Sequence, residues 1–331
     1  MRVLGIAGTC ISAALLTACN AASSTRALPY GTAAFVKPSA VRQLEIASNS
    51  CCVLAVDHLL NRIYVSRTAD PAGSNTTVVD GASLSVVTAI AGYGGAHNVD
   101  RKTHNFWLPG LYTGTVNVYA GQTDATVATV TLSACPTDSW IDTTRRHAWI
   151  SAQCGAGNDP VWAVNADTYK RISRRIGTGG VMGVTVVNGA TGRFYVNNTS
   201  GNYVIDPVSF TKTPTSFGVA YAANARINLV YAVPSSGGLN IVNGNTEHVV
   251  TNVVLSYAPN AIAVNPMLDH IYLADGSNFI DVRDAKTGSP IKTITMSSGL
   301  SVISLAVDRL RDRIYAGVAS SGNTYLYQLK D

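Results

Sequence analysis

An aromatic residue recurs seven times in this chain of 331 residues, each time inside a short apolar run. The seven are Tyr64, Trp107, Trp149, Tyr195, Tyr231, Tyr272 and Tyr315. They are separated by 43, 42, 46, 36, 41 and 43 residues. A repeat of about 40–45 residues is the sequence signature of a β-propeller, in which every repeat forms one four-stranded blade. The sequence therefore predicts an all-β fold, a seven-bladed β-propeller with four antiparallel strands per blade.

The segment from Ala55 to Gly92 shows how one repeat divides into strands. Short runs rich in Val, Ile and Thr alternate with turns that contain Gly, Asn, Asp or Pro, which is the pattern of strands joined by turns. In a propeller, a large flat side chain fills the wedge between neighbouring blades. We therefore expect the seven aromatic residues to pack between blades rather than to stack on a cofactor.

The seventh repeat holds only three predicted strands, at about 303–307, 312–317 and 323–329. An alternating segment, residues 41–46, precedes the first repeat and has no other strand to pair with. We predict that this N-terminal strand completes the last blade. Such pairing closes the ring and removes two exposed strand edges.

The first residues have the character of an export signal. Arg2 precedes an apolar stretch from Val3 to Leu16, which is too short to span a bilayer. The following residues Leu16-Thr17-Ala18-Cys19 resemble a bacterial lipobox, with Cys19 as the lipidated residue; the alternative is a plain cleaved signal. Because Asn20 rather than Asp follows, the motif predicts a lipoprotein anchored in the outer membrane, facing the periplasm or the cell surface. The lipid anchor would be its only membrane contact.

The chain thus divides into three parts: residues 1–19 as lipoprotein signal peptide with lipobox, 20–40 as flexible tether, and 41–331 as propeller. The tether is rich in Ala, Ser, Thr and Pro, a composition that cannot bury enough apolar surface to fold. We expect the protein to be a monomer.

The repeat resembles that of the YVTN family of β-propellers. The resemblance is carried by Asn61–Ser66 (NRIYVS), Thr77–Asp80 (TVVD) and Ser85–Ile90 (SVVTAI), and it is looser in most other repeats. It extends to the propeller of quinoprotein amine dehydrogenase β-subunits. The resemblance implies a seven-bladed propeller, usually secreted or periplasmic. It implies no single activity, because the family and its neighbours include DNA-binding proteins, sugar lactonases, streptogramin lyases and subunits of redox enzymes.

Propeller ligands usually bind where the loops that lead into the innermost strands converge on the central channel. These loops offer six candidate ligand-face residues: His97, Asp138, Met182, Phe217, Tyr257 and Asn260. One imidazole and one carboxylate are too few for a metal site, which needs several converging ligands. Nucleophile and haem-attachment motifs are also absent. We therefore predict no metal, no cofactor and no catalytic residue.

Four cysteines lie in the predicted propeller: Cys51, Cys52, Cys135 and Cys154. Export favours oxidation, and four cysteines allow three pairings. Cys135 and Cys154 fall in two loops on the same face of blade three, which makes a bond between them geometrically reasonable. Cys51 and Cys52 would then remain as a vicinal pair at the start of blade one.

The charge balance says little about function, and the preference for a binding module rests on the absence of an acidic or multi-histidine cluster. The formal net charge is only +5, and the densest basic cluster comprises Lys170, Arg171, Arg174 and Arg175. Nucleic-acid binding needs a broader basic stripe with exposed aromatic residues, so we do not expect it. The sequence predicts a non-enzymatic binding or scaffold module that presents its loop face to a protein, glycan or polymer. The alternatives are a lactonase-like or lyase-like enzyme at the channel mouth and, second, a single-stranded DNA-binding protein.

Overall fold

The computed structural model describes residues 35–36, 42–48, 53–66, 75–92, 98–110, 113–132, 135–153, 159–180 and 182–331. Within them the regular structure consists of β-strands. No helix of these residues has the length and apolarity that crossing a membrane requires. The strands in chain order are β1 (Phe35–Val36), β2 (Arg42–Ser48), β3 (Val53–Asp57), β4 (Arg62–Ser66), β5 (Asn75–Asp80), β6 (Ser85–Ala91), β7 (Asn98–Val99), β8 (Asn105–Gly110), β9 (Thr115–Ala120), β10 (Thr126–Thr131), β11 (Pro136–Asp142), β12 (His147–Ala152), β13 (Pro160–Asn165), β14 (Ile176–Gly177), β15 (Met182–Val187), β16 (Phe194–Asn198), β17 (Gly201–Ile205), β18 (Lys212–Thr215), β19 (Val219–Asn224), β20 (Leu229–Val233), β21 (Leu239–Asn243), β22 (Val249–Val253), β23 (Ala261–Asn265), β24 (His270–Ala274), β25 (Phe279–Asp284), β26 (Pro290–Thr295), β27 (Ser301–Asp308), β28 (Arg313–Ser320) and β29 (Asn323–Lys330).

These strands form seven antiparallel blades arranged in a ring, as the repeat predicted. Blades one to six are built from consecutive groups of four strands, β3–β6 through β23–β26. The first strand of each blade is the innermost and lines the central channel. We call the face where the innermost strands begin the upper face, and the face where they end the lower face.

Blade seven is completed by the N-terminal strand, and the predicted ring closure is confirmed. Strand β2 pairs antiparallel with β29, with Leu44 opposite Leu326, in the order β2-β29-β28-β27. The strand covers Arg42–Ser48, slightly more than the predicted 41–46. Leu44 and Ile46 also pack against a buried cluster that contains Ile63 of blade one. The closing strand therefore stabilises the joint between blades seven and one.

Blade six carries an additional outer strand that the sequence did not suggest. Strand β1 pairs parallel with β26, with Phe35 opposite Thr293 and Val36 opposite Ile294. These two residues belong to the segment that we assigned to the tether.

The seven repeating aromatic residues all lie in the second strand of their blade, and each is at most 1% exposed. Some stack on an aromatic ring of the next blade. The rings of Tyr64 and Phe106 are 4.1 Å apart and nearly parallel, and those of Trp149 and Phe194 are 5.1 Å apart. Their predicted role in packing between blades is confirmed.

A second sevenfold pattern accompanies the aromatic residues. Seven positions before each one, at the lower end of the innermost strand, stands an Asp or an Asn. These residues are Asp57, Asp100, Asp142, Asn188, Asn224, Asn265 and Asp308. In every blade a side-chain oxygen of this residue accepts a hydrogen bond from a backbone N–H two residues later. This Asx turn reverses the chain into the second strand.

The same turn ends in a backbone conformation with positive φ, three positions before each aromatic residue. Its members are Asn61, His104, Arg146, Gly192, Asn228, Asp269 and Asp312, with φ between 50° and 71°. Several of these residues reach back to the preceding blade. His104 Nδ1 lies 3.0 Å from Asp57 Oδ2, and Asn188 Nδ2 donates to Asn228 Oδ1 at 2.7 Å. The lower face is thus held together by side chains that join one blade to the next.

Candidate functional site

Asp138, the predicted carboxylate of the upper face, lies in β11 and contacts the next blade. Thr185 Oγ1 of β15 donates a hydrogen bond to Asp138 Oδ2 at 3.0 Å. Trp140 Nε1 in turn donates to Thr185 Oγ1 at 3.0 Å. The carboxylate therefore takes part in a chain of hydrogen bonds between blades three and four.

Phe217 and Tyr257, the predicted apolar walls, lie in the joints between blades. Phe217 is 4% exposed and packs edge-on against Tyr195, with ring centroids 5.9 Å apart. The Tyr257 hydroxyl donates to Asp281 Oδ2 at 2.5 Å, and Asp281 also accepts from Arg283 Nε at 2.7 Å. Burial and the neighbouring Asp281 carboxylate raise the pKa of Tyr257, so its hydroxyl stays protonated.

The remaining upper-face candidates are differently placed. Asn260 is exposed, and its backbone N–H donates to the Ala274 carbonyl at 2.8 Å. Met182 begins β15. His97 lies outside the described residues. The structure therefore distributes the described candidates over several joints of the ring, and ligand binding at the upper face stays a prediction.

The predicted lipidation and disulfide sites are described only in part. Cys135 is half-buried just before β11, and its carbonyl accepts from the Gln153 N–H at 2.9 Å. Cys19, Cys51, Cys52 and Cys154 lie outside the described residues. Both pairings and the lipid anchor therefore stay predictions.

The central channel contains a cavity of about 920 Å³ that is bounded by all seven innermost strands. Its wall includes aliphatic side chains such as Leu54, Ile141, Val264 and Leu305, the aromatic Tyr221, and polar and basic groups. The lining continues into the turns of the lower face. The sequence had directed attention to the upper face, whereas this cavity extends to the lower one.

Seven residues, one from each blade, surround the lower end of this cavity. Each one directly follows the Asp or Asn that forms the Asx turn of its blade, which we call the Asx position. We call this set the lower mouth: His58, Arg101, Thr143, Gly189, Ala225, Pro266 and Arg309. All seven line the cavity. The large basic side chains come from three consecutive blades, since Arg309, His58 and Arg101 belong to blades seven, one and two. Across the ring, blades four and five contribute the smallest residues, Gly189 and Ala225.

Two arginines of the lower mouth, Arg101 and Arg309, carry positive charge and form no salt bridge among the described residues. Arg101 is reached by water in the channel, yet the surrounding protein and the charge of Arg309 lower its pKa to about 10, an effect that the Asp57 carboxylate partly opposes. It stays protonated at neutral pH. In the part of the chain that the structure describes, Arg101 and Arg309 form no salt bridge, and the buried Nε of Arg309 has no hydrogen-bond partner.

His58 lies between these arginines in the ring and is 7% exposed. Its Nδ1 is 3.5 Å from Asp308 Oδ1. Burial lowers the pKa of His58, the nearby Asp308 carboxylate opposes this effect, and Arg101 and Arg309 add to it. The imidazole is therefore neutral at pH 7.

The other cations near the lower mouth have acidic partners. Arg311 Nη1 is 2.9 Å from Asp308 Oδ2, Arg226 pairs with Asp269, and Lys102 Nζ is 3.9 Å from Asp167 Oδ1. No Asp or Glu is among the described residues that line the cavity. Its lower mouth is therefore an electropositive opening to a channel whose wall includes many aliphatic side chains.

Metal ligands are not gathered anywhere in the described ranges, where no three His, Cys, Asp or Glu side chains form a group that could hold an ion. The basic cluster of Lys170, Arg171, Arg174 and Arg175 is exposed just before β14, on the outer part of blade three.

Comparison with known proteins identifies the fold and no family. No protein-family model matches the sequence, and no curated protein matches it. Among solved structures, the chain is similar to the β-propeller domain of Myceliophteria thermophila Cps50 (Swd1), with a TM-score of 0.63 and 8% sequence identity. The match covers 86% of this chain and 98% of that domain. At this identity the similarity shows a WD40-like β-propeller fold alone.

Proposed function

We propose that this protein is a non-enzymatic binding or scaffold propeller of the YVTN type. It is exported, anchored in the bacterial outer membrane through a lipid on Cys19, and presents its upper face to a protein, glycan or polymer. The non-enzymatic part of this proposal rests on the hydrogen bonds and ion pairs that the carboxylates form. In the described part of the propeller most of them bind backbone turns or basic side chains of the ring.

The Asx positions give the clearest examples. Asp57, Asp100, Asp142 and Asp308 each cap the turn that follows them. Asp281 is shared by Tyr257 and Arg283. A carboxylate that already accepts several hydrogen bonds is a poor general base, because it would have to lose them to take a proton. A binding module does not need such a base.

Metal analysis and ligand binding test this proposal together. We expect the exported protein, purified without chelators, to contain no stoichiometric divalent ion by mass spectrometry. We also expect a thermal-shift screen of glycans and envelope polymers to yield a ligand whose binding is weakened by Asn260→Ala, an exposed upper-face change. A tightly bound stoichiometric ion would instead support the lactonase-like alternative. A salt-sensitive gel shift with single-stranded DNA, abolished by Arg171→Ala with Arg174→Ala, would support nucleic-acid binding.

The anchor is tested separately. Cells fed a labelled fatty acid should label the wild-type protein and leave Cys19→Ala unlabelled, and the variant should move from the membrane fraction to the soluble periplasmic fraction. An unlabelled wild-type protein would show that the signal is cleaved without lipidation.

A further inference from the structure

We propose that the lower mouth of the central channel binds an amphiphilic organic acid, a small molecule with an anionic head and an apolar body. The head pairs with Arg101 and Arg309, and the body lies against the aliphatic wall of the channel. This site is on the face opposite the one presented in the proposed function and does not depend on it.

The charges around the lower mouth favour an anionic ligand. The nearby carboxylates are held by other groups: Asp57 by His104, Asp100 by Arg146, and Asp308 by Arg311. Arg101 and Arg309 are left facing one cavity with like charges, and the buried Arg309 Nε–H lacks an acceptor among the described residues. A carboxylate or phosphate supplies acceptor atoms in the geometry that guanidinium groups prefer, and it offsets the repulsion between them.

The side chains around the lower mouth differ in size from one side to the other. The basic side chains occupy one arc of the ring, on blades seven, one and two, and small residues occupy the arc across from it. An added Cβ at Gly189 would come only within 3.4 Å of the Ala225 Cβ, which is ordinary contact distance. The small residues on that arc therefore leave the mouth unobstructed opposite the arginines, where a bound molecule can enter.

The channel behind the lower mouth offers aliphatic side chains to a bound molecule. The cavity of about 920 Å³ falls in the size range of small-molecule sites. Its lining combines aliphatic side chains of the innermost strands with polar and basic groups, so both parts of an amphiphilic molecule would have partners there. Inorganic anions make no use of this wall, whereas the alkyl chain of an organic acid removes it from water. An absence of carboxylates in the described lining argues against a cationic ligand.

The test uses four probes and isothermal titration calorimetry on the exported protein at low ionic strength. Octanoate and octyl phosphate present an anionic head on an alkyl chain. Octylamine has the same chain with a cationic head, and inorganic phosphate has the head alone. We expect one or both acids to bind with one equivalent per chain and at least ten times more tightly than octylamine or inorganic phosphate. Whether octanoate or octyl phosphate binds more tightly shows which anionic group, carboxylate or phosphate, the site prefers.

Variants locate the site. Arg101→Gln and Arg309→Gln should each weaken binding of the preferred acid at least tenfold, and Ala225→Leu should weaken it by filling the small arc. The matched control Arg174→Gln removes an exposed arginine outside the channel and should leave the affinity unchanged. Melting temperatures close to that of the wild type show that the variants are folded. The exposed position of Ala225 makes that variant informative even if an arginine change impairs folding.

Three results would overturn the proposal. These are failure of both acids to bind, equal binding of octylamine, and affinity that is unchanged in Arg101→Gln, Arg309→Gln and Ala225→Leu. Equal binding of inorganic phosphate and octyl phosphate would reject the role of the apolar wall.

Discussion

The guanidinium of Arg146 in blade three donates two hydrogen bonds to the carboxylate of Asp100 in blade two. The Nη1–Oδ1 distance is 2.8 Å and the Nη2–Oδ2 distance is 2.5 Å. Asp100 is fully buried and also accepts hydrogen bonds from the Lys102 N–H and the Thr103 hydroxyl. Burial opposes its ionisation, but these contacts prevail and lower the pKa of Asp100. One carboxylate thus shapes a turn and joins two blades.

Removal of Arg146 should therefore be costly. In Arg146→Ala the buried Asp100 carboxylate loses its bidentate partner, and we expect the free energy of unfolding to fall by about 3 kcal/mol. Urea denaturation measures this change. The matched control is Arg145→Ala, because Arg145 is the adjacent residue, is 32% exposed and reaches Asp142 only at 3.4 Å. It should cost less than about 1 kcal/mol. Equal effects of the two substitutions would contradict the importance of the pair.

Ring closure provides a second prediction. Deletion of residues 42–48 removes the strand that pairs with β29, withdraws Leu44 and Ile46 from the joint with blade one, and leaves the β29 edge exposed. We expect a large fall in melting temperature and a tendency to aggregate, because an unpaired edge is a template for pairing between chains. The control Glu45→Ala changes an exposed side chain of the same strand and should melt like the wild type. A deletion variant with unchanged melting would show that the ring does not need this strand.

One hydrogen bond joins blades five and six, and its contribution to stability can be measured. The buried Tyr231 hydroxyl donates to the Ala285 carbonyl at 2.9 Å. Tyr231→Phe leaves that carbonyl without its partner, and we expect a loss of about 1 kcal/mol in the free energy of unfolding. The control Tyr203→Phe removes an exposed hydrogen bond of 3.3 Å to the Ser200 carbonyl, where water can replace the hydroxyl, so its effect should be within about 0.5 kcal/mol. A neutral Tyr231→Phe would mean that this hydrogen bond does not stabilise the joint.

The contacts of Asp331 predict how the free energy of unfolding depends on pH. Its carboxylate lies 2.8 Å from His270 Nδ1, 2.5 Å from the Tyr272 hydroxyl and 3.1 Å from Lys292 Nζ. Burial opposes ionisation, but these three groups lower the pKa of Asp331 to about 2, compared with 3.8 for an ordinary Asp. Because the folded pKa is depressed, the stabilisation is complete above pH 4 and is lost as the pH falls toward 2.

Asp331→Asn should remove this contribution. We expect the variant to be about 2 kcal/mol less stable than the wild type at pH 7, and the difference to vanish near pH 2. Urea denaturation at a series of pH values measures it. A difference that is the same at all pH values would show that the effect of the substitution is not electrostatic.

The architecture could be predicted because it depends on a repeat that is visible in the sequence. The aromatic residue of each second strand fixed the number of blades, and the three-stranded last repeat indicated where residues 41–46 pair. Both inferences rest on packing and backbone pairing, which any suitable apolar or β-branched residue satisfies. The extra strand β1 was not predictable, because a pairing of two residues leaves no pattern in the sequence.

The lower mouth was not predicted, although its signal is present seven and six positions before each aromatic residue. The Asx position varies between Asp and Asn, and the mouth position varies from Gly to Arg, so neither repeats as one residue type. The pairing of charged side chains could not be read from the sequence either. Asp100 is followed directly by Arg101, but its side chain pairs with Arg146 of the next blade. The sequence therefore did not reveal which arginines lack a salt-bridge partner among the described residues.

The closing pair of strands has a consequence for the order in which the protein acquires its structure. Arg42 lies opposite Gln328, so nearly the whole propeller must be synthesised before β2 meets β29. Contacts between residues so distant in the chain form slowly, because the intervening chain must first be ordered. Until then the side of blade one that carries Ile63 and Val65 has no covering from Tyr315 and Leu326. The nascent chain consequently passes through a period in which this apolar surface is open to other proteins, and chaperones that bind such surfaces would act at this stage.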